Sequence, residues 1–99
     1  MLHTVNKSPF EKTTLQSCLA NAKAGSAILL IEDGVYAAQS GTAFASAMEQ
    51  AMQKHSVYVL GPDLEARGLA EKLLDGITVV DYSGFVDLVV ESNVVESWL

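Results

Sequence analysis

Ala27-Ile28-Leu29-Leu30-Ile31, followed at once by Glu32-Asp33-Gly34, decides the fold of this chain. Consecutive apolar residues without alternation fit a strand covered on both faces, as in a parallel sheet, rather than one with a face in water. The acidic pair and the glycine end it. Similar short runs at residues 57–60 and 77–80 read as further strands, residues 1–5 as an opening strand and residues 94–99 as a short edge strand.

Between these runs the pattern turns helical. Ser8, Pro9 and Glu11 spell a helix start, and Phe10, Leu15, Cys18, Leu19 and Ala22 follow near helical spacing up to a stop at Gly25. Residues 35–38 suit a single helical turn, and residues 42–54 a second helix that buries Phe44, Met48, Ala51 and Met52. Gly61-Pro62-Asp63 opens a short helix closed by Gly68, with residues 69–74 extending the helical region. Asp81 or Ser83 caps a last helix built on Phe85, Val86, Leu88 and Val89. Strands alternating with helices predict an α/β three-layer sandwich around a small, mainly parallel sheet, with one domain spanning residues 1–99.

Composition narrows the function. Six Lys and Arg against twelve Asp and Glu give a formal charge of -6, a sign that repels phosphate backbones and anionic lipid, so neither nucleic acid nor membrane is an expected direct partner. No apolar run approaches the roughly 20 residues that span a bilayer, and the N-terminus lacks the pattern of a signal peptide. A cytoplasmic protein with a reduced thiol is expected. With 49% hydrophobic residues in 99, the chain carries more apolar surface than so small a body can bury, which predicts an oligomer.

Candidate chemistry is sparse. Strand ends present Asp33, Asp63 and Asp81, where ligands of open parallel sheets bind, although aspartate and glycine are also ordinary turn and cap residues. Spacings for a nucleotide cradle or a nucleophilic serine elbow are missing. His3 and His55 stand 52 positions apart without neighbouring ligands, so neither metal nor cofactor is expected. His3 reads as packed or hydrogen-bonded, His55 as solvated. Trp98 either folds back on the core or anchors a neighbouring subunit. Cys18, the one cysteine, lies about 60° from Leu15 around the helix, on the flank of the buried stripe. It is inert filler or a single reactive thiol, and its mid-helix position denies it the helix dipole that would activate it.

Four stretches carry a further signal: the opening Met1-Leu2-His3-Thr4-Val5-Asn6-Lys7-Ser8-Pro9-Phe10, then Glu32-Asp33-Gly34-Val35-Tyr36-Ala37-Ala38, then Tyr58-Val59-Leu60-Gly61-Pro62-Asp63-Leu64-Glu65-Ala66-Arg67-Gly68, and Val80-Asp81-Tyr82-Ser83-Gly84-Phe85-Val86-Asp87-Leu88. In this order and spacing the chain resembles the DsrH/TusB family over its full length. The resemblance implies a DsrE/F/H-like, flavodoxin-like topology and a cytoplasmic persulfide relay. In that relay the resemblance implies the smallest subunit, a partner of DsrE/TusD-like and DsrF/TusC-like subunits, with the principal acceptor cysteine on the DsrE/TusD-like one and a DsrC/TusE-like protein as the next carrier. The context Leu15-Gln16-Ser17-Cys18-Leu19 is similar to the DsrH branch, which implies dissimilatory sulfur oxidation, with Cys18 as candidate persulfide site. The alternatives are a TusB-like subunit for 2-thiolation of tRNA wobble uridine, or a structural subunit without chemistry. A homo-oligomer of the isolated chain is also expected as a possibility.

Overall fold

The computed structural model describes residues 1–99. Five strands, β1 (Leu2–Val5), β2 (Ala27–Leu30), β3 (Ser56–Leu60), β4 (Thr78–Val80) and β5 (Val95–Trp98), form one sheet in the order β4-β3-β2-β1-β5, and every pairing is parallel. Layers and parallel sheet agree with expectation. The strand order differs in detail from the flavodoxin arrangement of 2-1-3-4-5. Here the first four strands step one way across the sheet, and only the last returns to the far side of β1.

That order dictates where helices lie. Right-handed crossovers that all step in one direction stack their connections on one face, and a crossover stepping back places its helix on the other. Accordingly α1 (Thr14–Asn21), the 3-10 segment Glu32–Ala38, α2 (Ala45–Ala51) and α3 (Gly61–Ala66) share a core with the face bearing Val5, Ile28, Leu30, Val57 and Val59. A lone helix, α4 (Tyr82–Glu91), meets the opposite face beside β4, where an added β-carbon on Gly84 would come within 3.0 Å of Val80 Cβ. Leu2, Leu29 and Leu60 fill this second side and are buried. Each fully buried leucine contributes roughly 1.5–3 kcal/mol.

Two helix starts lie further along the chain than their sequence signals. Ser8 does make its local bond: its Oγ accepts from the Phe10 N–H at 3.2 Å, and its carbonyl accepts from Glu11 and Lys12. The turn then stops, and α1 begins only at Thr14. Phe10 packs edge-on against Phe44 with ring centroids 5.0 Å apart, which ties the turn to the start of α2 instead of to the axis of α1. Similarly Thr42 Oγ1 accepts from the Phe44 N–H, closing a turn ahead of α2. Gly25 has φ +91 but sits beyond the helix end, in the turn before β2, where its N–H donates to Lys54 O at 2.7 Å.

Candidate functional site

Position 18 faces inward. Cys18 is fully buried on α1, in the same core cluster as Val5, Leu15, Ile28 and Leu30, with Trp98 packed against that cluster. Burial, and after it the negative charge of Glu96, pushes the thiol up to about 11. At pH 7 only about one molecule in ten thousand then holds the thiolate, the form that attacks sulfur. The helix therefore presents a packed thiol, not a flanking one.

Below α1, the first and last strands meet. Trp98 Nε1–H donates to Nδ1 of His3 at 3.0 Å, and Glu96 Oε2 stands 3.7 Å from the same nitrogen. Register explains the meeting, because β1 and β5 pair His3 with Glu96 and Val5 with Trp98, putting all four on one face. Burial lowers the His3 pKa, and Glu96 opposes that shift in part. A neutral ring that accepts at Nδ1 carries its proton on Nε2, which is buried without a partner. Of the two readings open for Trp98, the structure selects folding back.

The strand-end carboxylates meet only in part, and structure already uses them. Arg67 donates from Nε and Nη2 to Asp33 Oδ1, both at 2.9 Å, and from Nη1 to the Asp63 carbonyl at 3.2 Å. Asp63 Oδ2 accepts from the backbone N–H of Glu32 at 2.7 Å, holding a residue whose φ of 49° is otherwise unfavourable. Asp81 stands apart as the N-cap of α4, accepting from Gly84 N–H at 2.8 Å. A turn staple and a cap account for all three.

His55, read from sequence as solvated, is buried, with Nδ1 3.2 Å from the Ser26 carbonyl. Its position just ahead of β3 carries no sign that the loop before β2 folds over it. No group of three or more His, Cys, Asp or Glu side chains is placed to hold a metal ion, and no helix is long and apolar enough to cross a membrane. The apolar stripe of the last helix reads from sequence as core sooner than as a recognition face, and the structure leaves it uncovered. No residue of α4 is fully buried, while Tyr82, Val86, Val89 and Val90 are exposed. The available signal was a helix apolar on more sides than one core contact needs.

Known proteins place this geometry. The family model described as "DsrH like protein" matches residues 7–95. Proteins named TusB are similar along the whole chain: 41% identity for that of Erwinia tasmaniensis, 38% for that of Shigella flexneri and 37% for that of Pectobacterium parmentieri, each match covering 99% of this chain and 100% of the relative. Among solved structures, the YchN protein of E. coli superposes with a TM-score of 0.79 at 16% identity, covering 97% of both chains. MTH1491 of Methanobacterium thermoautotrophicum gives 0.75 at 13%, covering 97% of this chain and 96% of that one. These two likenesses concern the fold.

Proposed function

The chain belongs to the DsrH/TusB family, and from that premise we propose that it is a subunit of a cytoplasmic sulfur-relay complex serving 2-thiolation of the tRNA wobble uridine. Its partners in this reading are TusD-like and TusC-like subunits, with a TusE-like carrier receiving the sulfur. Full-length similarity to proteins named TusB favours this branch over the sulfur oxidation that the context of Cys18 suggested.

The observation that carries the reading of its role is the burial of Cys18. A subunit whose one thiol is buried and held protonated contributes shape and contacts to a relay while exposed cysteines elsewhere carry the sulfur. The test is replacement of the native subunit in a bacterium that makes 2-thiouridine. Wild-type chain and Cys18→Ala should both restore the modified nucleoside and co-purify with the TusC-like and TusD-like subunits. Failure of the wild-type chain to do either sinks the proposal.

Persulfidation of Cys18 is the second reading, favoured by its being the only thiol of the chain. It requires α1 to swing off the sheet in the assembly, because a sulfur donor has no access to a side chain with no exposed area. Mass spectrometry of the assembled complex after incubation with a persulfide donor decides it: one added sulfur atom on the Cys18 peptide supports this role, and an unmodified peptide beside a loaded TusD-like subunit removes it.

A further inference from the structure

The outer face of α4 is an apolar stripe with an acidic margin. Tyr82, Val86 and Val90 succeed one another at four-residue spacing with 60%, 59% and 77% of their surfaces exposed, and Val89 and Val94 widen and extend the row. Asp87 and Glu91 follow Val86 and Val90 by one residue each, so they form a parallel row about 100° round the helix. The charge pattern reaches past the helix. Residues 73–99 contain Asp75, Asp81, Asp87, Glu91 and Glu96 and no Lys or Arg, since all six basic residues lie at or before Lys72.

This pattern discriminates between occupants. A second copy would bring the same surface, and in a two-fold pairing each stripe would meet another acidic row with no counter-charge. An anionic lipid surface is repelled for the same reason. An apolar patch rimmed by lysines or arginines, by contrast, buries the valines and neutralises the carboxylates together.

We infer that α4 docks this chain onto a different protein through an apolar patch with a basic rim, and that the acidic row selects this heterologous partner over self-association. The inference rests on the proposed role as a relay subunit, and it names the face and the chemistry of the contact. Within that role the partner is the TusC-like or TusD-like subunit that carries such a patch.

The experiment compares assembly of the full chain with those two subunits for wild type, Val90→Asp, and the double variant Asp87→Lys with Glu91→Lys, by size-exclusion chromatography with light scattering and by interferometry. All changed positions are exposed, so circular dichroism should confirm unaltered folding. Expected results are a monomeric isolated chain and wild-type affinity that falls at least fivefold between 50 and 500 mM salt, on the order set by rim charges. Val90→Asp and the double variant should each lose at least tenfold. Assembly that forms normally in both variants overturns the docking face while leaving the proposed function intact. A homodimer that Val90→Asp dissolves overturns the selection. Failure of even the wild-type chain to assemble counts against the proposed function itself.

Discussion

Trp98 donates its indole N–H to Nδ1 of His3 at 3.0 Å, joining side chains 95 positions apart. The bond closes β5 onto β1 and fixes the His3 tautomer. Without it the last strand is an edge strand held by its backbone pairing, the Thr4–Ser97 side-chain bond and the packing of Trp98 against the core.

Replacing Trp98 by Phe keeps most of the ring but removes the donor. A loss of about 1–2 kcal/mol in urea unfolding is expected from a part-buried bond of this kind. Nitrogen chemical shifts of the imidazole check the tautomer: wild type should show a protonated Nε2 and a bare Nδ1, and a fast mixture of both forms in the wild-type protein contradicts the assignment.

The lowered pKa of His3 predicts how stability follows pH. Burial disfavours the charged ring, so the folded value lies below the ordinary 6.5. Between the two values the unfolded chain binds the extra proton, so this contribution is intact above about 6.5 and is lost as pH falls toward the folded value. Urea midpoints measured from pH 7.5 to 5 should decline, and His3→Phe should flatten that decline.

Cys18 should resist thiol reagents. With its pKa raised to about 11, native protein should react with a disulfide reagent at pH 8 at least roughly 100-fold more slowly than urea-unfolded protein. The same shift works in the opposite sense to that of His3: stability is complete below the unfolded thiol value and declines as pH rises through it. Cys18→Ser, which puts a hydroxyl into an apolar core, should cost about 1–3 kcal/mol.

Gly34 tolerates no side chain. A β-carbon there would stand 2.1 Å from the carbonyl oxygen of Val5, at the end of β1 where the 3-10 segment crosses. Gly34→Ala should cost about 3 kcal/mol or more, or leave no folded protein, as judged by circular dichroism and yield.

Asp63→Ala should destabilise by about 1–2 kcal/mol through loss of the bond to Glu32 N–H, whereas Asp63→Asn, which keeps an acceptor, should lose less. Arg67→Ala, which breaks a half-exposed pair with Asp33 and the bond to the Asp63 carbonyl, should cost about 1 kcal/mol. A larger loss for Arg67→Ala than for Asp63→Ala would show the Asp33 ion pair, not the bond to Glu32 N–H, to be the stronger anchor.

Several local signals coincide with the structure, although the helix stop expected at Gly25 does not, since α1 ends at Asn21. The unbroken apolar run at β2, Pro62 in the first turn of α3 and the Asp81 cap all act through residues within one turn of themselves. The signal at Ser8 forms only a turn, which the contact of Phe10 with Phe44, 34 positions on from Phe10, ties to the start of α2, and α1 begins at Thr14. For the candidate site, the sequence singled out Cys18 but put it on the flank of α1, since periodicity gives an angle around a helix and not what lies over it.

Element types, their succession and the family segments were therefore in the sequence alone, because period, caps and breakers are properties of neighbours along the chain. Tertiary structure decided the order β4-β3-β2-β1-β5, and with it the rest: α4 alone on its face with valines exposed, Cys18 sealed against β1, and His3 bonded to Trp98. Those outcomes depend on which faces pair across the sheet, and contacts at such separation leave no period in the chain that makes them.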